Sequence, residues 1–348
     1  MLTLGIDVGK HELFVSLHET DGQAQGREVA HRGPIPNTPA GLTQCCAWLE
    51  QRTALPEVHV VMEATNVYWE RAAHHFHRQG CTVSVVNPAQ VRFFARSVLR
   101  RGKTDKMDAE IIARFGALMH PAPWSPPLVA LLDLKQLVRE REEVVSCLTR
   151  DRNHLIALQD AQHTSAVALK LAQARVDLLK AQVEQLETAI HDAIREHPAL
   201  SEPFNLLLSV PGFGVISAAT VLAETNGFAD LADGAQVSAY SGMAPSPNQS
   251  GLMRGRGSIS KTGNARLRRI AYLAALGARL SHSRLRTFYE GLRERGKPPK
   301  VALVALGRKL LRIGLAVVKS GVPYQDDFQR SGPRPQDGFG PTPLPSSP

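Results

Sequence analysis

The sequence predicts an α/β domain on a mixed sheet, then a long helical segment, then a mainly α-helical carboxyl-terminal domain. Three observations carry this. Residues 2–88 alternate β-rich apolar runs with helical patterns, residues 169–193 hold an unbroken apolar spacing of three and four, and from Pro203 helix-length apolar stretches are separated by Gly and Pro.

The elements follow in order. "LTLGIDVG" (2–9) and "ELFVSLHE" (12–19) read as strands joined at Lys10-His11, and "REVAHR" continues an antiparallel meander. "AGLTQCCAWLEQR" reads as a helix, "EVHVVME" (57–63) as a strand, Tyr68 to Gln79 as a helix and "CTVSVVNP" (81–88) as a strand. In residues 128–197 one apolar seam runs through Leu131, Leu134, Val138, Val145, Leu148 and Leu155, with Arg141 and Arg152 interrupting it. A second runs through Leu169, Ala172, Val176, Leu179, Val183, Leu186, Ile190 and Ala193. A folded-back hairpin of two helices and a coiled coil between two subunits both fit. The turn P-G-F-G (211–214) between apolar helical segments has the pattern of a helix-hairpin-helix, whose N–H groups can hold a phosphate, although glycines there also let helices pack closely. The tail, "DDFQRSGPRPQDGFGPTPLPSSP", has a disordered composition. The expected divisions are 1–124, 125–200, 201–325 and 326–348.

The formal charge of +9 is not spread evenly. Residues 1–124 hold 13 Lys/Arg against 12 Asp/Glu and residues 125–200 hold 9 against 11, whereas residues 251–320 hold 17 against 2. Such a focused excess points to a polyanionic partner. No apolar run is long enough to span a bilayer and no signal peptide opens the chain, so a cytoplasmic protein without a membrane partner is expected. Cys45, Cys46, Cys81 and Cys147 show no C-x-x-C spacing, which argues against a zinc site or a disulfide framework.

Four acids stand out. Asp7 and Glu63 close apolar strands, and Asp105 and Asp108 share one helical face by their i,i+3 spacing. Singly each has an ordinary reading as a turn, cap or surface residue. Together, in the order strand, strand, helix, they resemble the RNase H-like fold of the RuvC type, where such positions meet to bind metal.

The blocks "GIDVGK", "VMEATNVYWE" and "NPAQVRFFARSVLRRGKTDKMDA", with "VPGFGVISAATVLAE", "AYSGMAPSPNQSG" and "GSISKTGNARLRRIAYLAA" further on, resemble the DEDD transposases of insertion sequences, the bridge-RNA-guided serine recombinases. That resemblance implies a RuvC-like amino-terminal domain with Asp7, Glu63, Asp105 and Asp108 as the metal and catalytic tetrad, holding Mg2+, with two ions per site. It implies a serine nucleophile at Ser250, with Ser241 as its rival and Ser246, between prolines, a weaker one, and a composite site with the metal-bound acids activating the serine. It also implies phosphate contacts from Lys103 and the preceding Arg100 and Arg101. The basic run of Arg254, Arg256, Lys261, Arg266, Arg268 and Arg269 reads from composition as a nucleic-acid surface. The expected function is RNA-guided insertion and excision of a mobile element through a serine–DNA intermediate. Target and donor DNA, a structured bridge RNA and a homodimer assembling to a tetramer are the expected partners. Two other readings stay open: a RuvC-like structure-specific endonuclease without a covalent intermediate, and a non-catalytic nucleic-acid scaffold.

Overall fold

The structure, a computed structural model, describes residues 2–19, 27–98, 104–246, 249–250, 253–254 and 258–327, with the backbone alone at 249–250 and 253–254. It divides into two compact units, Met1–Pro126 and Pro127–Pro348.

The first unit runs β1 (Leu2–Val8), β2 (Glu12–Glu19), β3 (Arg27–Pro36), α1 (Pro39–Glu50), β4 (Val58–Glu63), α2 (Trp69–Arg78), β5 (Thr82–Val86), α3 (Pro88–Ser97) and α4 (Asp105–Met119). The sheet has the order β3-β2-β1-β4-β5, antiparallel across β1–β2–β3 and parallel across β1–β4–β5. This is the mixed sheet expected from the sequence. The alternation within its strands assigns the faces. Leu4, Ile6 and Val8 of β1 and Val60 and Met62 of β4 join a core with Leu42, Cys45 and Leu49 of α1 and Phe76 of α2. The opposite face offers Val61 and Val86 to Val91 of α3 and to Ile111, Ile112 and Phe115 of α4. Helix α3 starts with a capping box at Asn87 and Pro88 at its first position.

The second unit opens with α5 (Val129–Asp160) and α6 (Ala166–Glu196), which fold back on each other within one chain. Ion pairs Arg141–Glu187 and Arg175–Asp151 fix an antiparallel register. Arg141, an apparent interruption of the seam, is thereby paired across it. Val144 rather than Val145, and Ile194 rather than Ala193, are the buried positions, because a straight helix drifts away from a strict heptad. The base of this pair joins the core of α7 (Pro198–Leu208), α8 (Val215–Glu224), α9 (Gly234–Tyr240), α10 (Ala265–Ala278), α11 (Arg284–Glu294) and α12 (Pro299–Ser320). Between α9 and α10 lie four two-residue strands, β6 (Pro245–Ser246), β7 (Gln249–Ser250), β8 (Met253–Arg254) and β9 (Ser258–Ile259).

At the P-G-F-G turn, Gly212 has φ +101 and lies against α10. A Cβ there would fall 2.5 Å from the Ala274 carbonyl oxygen and 2.7 Å from Ala278 Cβ. Its glycine therefore serves close helix packing, and the phosphate-cradling reading of this turn gains no support. Asp326, placed by the sequence in the tail, accepts from the Arg284 backbone N–H at the start of α11, at 2.8 Å. The rest of the expected tail, from residue 328, lies outside the described residues. Among the described residues no helix is long and apolar enough to cross a membrane.

Candidate functional site

Asp7 is the penultimate residue of β1. In the parallel pair β1–β4, Ile6 lies opposite Met62, and Asp7 and Glu63 each follow the last paired residue of their strand. Alternation puts both on the face that carries Gly5 and Val61, the one α4 covers. Helix α4 crosses that face antiparallel to β1. A Cβ on Gly116 would meet Thr3 and Val61, and one on Gly5 would fall 2.2 Å from Ala113 N and 2.3 Å from Ala109 O. Two glycines thus let helix and sheet approach closely, in a register that brings the first turn of α4 over Asp7.

That first turn is built for charge. Thr104 caps it, its hydroxyl accepting from Met107 N–H at 3.3 Å, and Asp105 and Asp108 follow within the positive end of the helix. Carboxylate oxygens of Asp7, Asp105 and Asp108 all lie within 4.8 Å of one another, Asp105 exposed and the other two half-buried. Three members of the expected tetrad are therefore brought together. Glu63, half-buried at the end of β4, is not one of those three.

Like charges this close repel, and a helix terminus offsets only about 0.3–1 kcal/mol of that. A cation would remove that cost. A donor set made wholly of carboxylate oxygens suits a hard divalent ion such as Mg2+ or Mn2+ and carries none of the His or Cys that softer metals prefer. The residues present fit such an ion.

The serine block of the second unit is a β-hairpin. Lys261 N–H donates to Gly242 O and Ser260 N–H to Ala244 O, both at 3.0 Å. Pro245 then pairs with Ile259 and Ser246 with Ser258, and further out Gln249 pairs with Arg254 and Ser250 with Met253. Ser250 therefore belongs to the two-stranded sheet β7–β8, separate from the β6–β9 pair. Ser241 is fully buried, its hydroxyl donating to Ser238 O at 3.1 Å, so it is sequestered from any substrate. Ser246 is exposed on β6.

Arg268, expected at a phosphate, grips the hairpin base. Its Nη1 donates to Ser241 O at 3.0 Å and to Lys261 O at 3.3 Å, one acceptor on each stem. Arg266 and Arg269 both bond Glu142 of α5, and Lys261 is exposed. Arg100, Arg101, Lys103 and Arg256, and the side chains of Arg254 and Ser250, lie outside the described residues.

Sequence reasoning missed the group beneath this hairpin. Glu224, buried at the end of α8, accepts from Arg139 Nε and Nη2 at 2.7 and 3.0 Å and from Asn264 Nδ2 at 2.7 Å. Burial pushes its carboxyl upward, but the hydrogen bonds from Arg139 and Asn264 prevail and hold it below the usual range. Asn264 also caps α10, accepting from Leu267 N–H at 3.0 Å, and its own N–H donates to Tyr240 O at 2.7 Å. One carboxylate thus ties α5 to the start of α10, where the hairpin ends. A Glu amid apolar residues in "AATVLAET" was the available signal, since a buried charge demands a partner.

Two family models match the chain. One, described as a transposase of the DEDD type of IS110, matches residues 4–164, and one described as Transposase IS116/IS110/IS902 family matches residues 204–290. The chain is 28% identical over 295 residues to the pilin gene-inverting protein of Moraxella bovis, covering 83% of this chain and 88% of that protein. It is 30% identical over 301 residues to the y4rJ protein of Sinorhizobium fredii, whose name is that of a transposase, covering 70% of this chain and 73% of that one. A solved chain titled Thermus thermophilus RuvC structure aligns with a TM-score of 0.27 and 17% identity, covering 35% of this chain and 99% of that chain, a likeness too slight to carry an argument.

Proposed function

Since the chain belongs to the IS116/IS110/IS902 transposase family, a DNA transposase/recombinase, we propose that it exchanges DNA strands through a serine–DNA intermediate, with a divalent metal held by its acidic cluster. The observation that carries the metal part is the convergence of Asp7, Asp105 and Asp108 within 4.8 Å. Mg2+ is the ion, two per site, and when bound it supplies charge stabilisation at the phosphate and a lowered pKa for a ligated hydroxyl or water.

The chain's own residues do the rest. Asp7 and Glu63 are held at the ends of two strands, and Asp105 and Asp108 by a capped first turn, so all four carboxylates are positioned before substrate arrives. Ser250 supplies the nucleophile. Its Oγ forms a bond to phosphorus as one phosphodiester P–O bond breaks; the hydroxyl proton leaves and the departing strand end takes up a proton as a free hydroxyl. The bond energy stays in the Ser250–DNA ester, and attack by another strand's hydroxyl reverses the step to rejoin DNA. The buried, hydrogen-bonded state of Ser241 favours Ser250 over it. A structured guide RNA selects donor and target by base pairing, and the protein works as a homodimer that assembles to a tetramer. The Moraxella relative is named for gene inversion, so inversion as well as insertion and excision is within the proposed range.

Trapping the protein on a nicked DNA substrate tests this. An adduct lost in Ser250→Ala and retained in Ser241→Ala supports the proposal. An adduct that survives Ser250→Ala, or cleavage with no adduct at all, overturns it, the latter in favour of hydrolysis by the acidic cluster alone.

A further inference from the structure

A small cleft of about 80 Å3 lies between α5, α8 and α10. Four guanidinium groups line it, Arg139 and Arg141 from α5 and Arg266 and Arg269 from α10. Arg139 has the buried Glu224 as its partner and Arg141 has Glu187. The α10 pair shares a single acid. Glu142 Oε2 accepts from Arg266 Nε at 2.8 Å, and Glu142 Oε1 accepts from Arg269 Nη1.

This arrangement differs in kind from the Glu224 pair. Side chains of Arg266 and Arg269 are 48% and 58% exposed and that of Glu142 is 31% exposed, so solvent screens the contact and either arginine can exchange its partner readily. A carboxylate with each oxygen on a different guanidinium presents the same pattern as a phosphodiester with its two non-bridging oxygens. Beside the pair the cleft is lined by Ile216, Ile270 and Leu273, apolar surface suited to a sugar adjoining that phosphate.

We propose that Arg266 and Arg269 form a seat for one backbone phosphate of a nucleic acid, and that Glu142 occupies the seat until the nucleic acid displaces it. The proposal rests on the transposase reading for the class of ligand. Glu142 then acts as a built-in competitor, lowering affinity for any nucleic acid that cannot also engage the rest of the surface.

The test is fluorescence anisotropy of a labelled DNA duplex and a labelled RNA hairpin with the full chain, Glu142→Gln, and Arg266→Gln/Arg269→Gln, across a salt series. Removing the competitor's charge should tighten binding of at least one probe by about three- to tenfold, and removing the seat should weaken it and flatten the log–log salt slope by about one, the contribution of one phosphate. The probe that responds identifies whether the phosphate belongs to DNA or RNA. Unchanged or weaker binding of both probes by Glu142→Gln, with the parent still binding, overturns the seat and leaves the transposase reading standing. A parent that binds neither probe overturns both. Should the double variant fail to fold by circular dichroism, Arg269→Gln alone takes its place, with the same expected direction in affinity and slope.

Discussion

Gly5 of β1 lies against the backbone of α4, with the site of its missing Cβ 2.2 Å from Ala113 N and 2.3 Å from Ala109 O. This contact sets the height of the helix above the sheet, and so the distance from Asp7 to Asp105 and Asp108. Gly5→Ala must push α4 away. We expect about 1–3 kcal/mol of destabilisation from overpacking. Cleavage should fall by about a hundredfold or more, because a displacement near 1 Å suffices to misalign a reacting site. Thermal melting and a strand-cleavage assay on the same preparation check both.

Glu224 provides a second prediction. Glu224→Gln leaves Arg139 without its ionic partner. The expected cost is about 2–4 kcal/mol, below the full figure for a buried pair because the Arg139 side chain is 42% exposed. The pH dependence follows from the lowered carboxyl. Its contribution is fully present above the ordinary unfolded value of 4.5 and is lost as the pH falls through the lower folded value. Denaturant melts between pH 7 and pH 3 should therefore show a stability loss in the parent that is shallower in Glu224→Gln.

Arg268 separates a role in positioning from one in binding. Arg268→Gln removes the donor shared by Ser241 O and Lys261 O, which should cost about 1–2 kcal/mol. Strand exchange should drop at least tenfold as the hairpin loses its base, while the salt slope of DNA binding stays at the parental value and Arg268→Lys restores part of the activity. A flattened slope with an unaltered rate of exchange would return Arg268 to the phosphate-contacting role that its basic neighbourhood suggested.

Legibility in the sequence followed the range of each interaction. Asp7, Asp105 and Asp108 were readable because strand alternation and helical i,i+3 spacing are local rules that say which residues share a face. Their meeting point depends on the Gly5–α4 contact, which joins residues more than a hundred positions apart. The helical pair was readable as two seams, but its choice between folding back and pairing with a second chain was not, since periodicity is the same either way. The hairpin around Ser250 was hidden because its strands are two residues long, among Pro, Gly and Ser, and show no alternation. Glu224 with Arg139 and Glu142 with Arg266 lie 85 and 124 positions apart, so no spacing rule reaches them.

The central claim, that the packing of α4 on β1 builds a divalent-cation site, is tested most directly by melting the parent protein and the single variants Asp7→Asn, Asp105→Asn and Asp108→Asn with and without Mg2+. At a hundred times its dissociation constant the ion should stabilise the parent by about 2.7 kcal/mol. Each variant should lose most of that gain. A parent indifferent to Mg2+, or three variants that keep the full parental shift, would contradict the account.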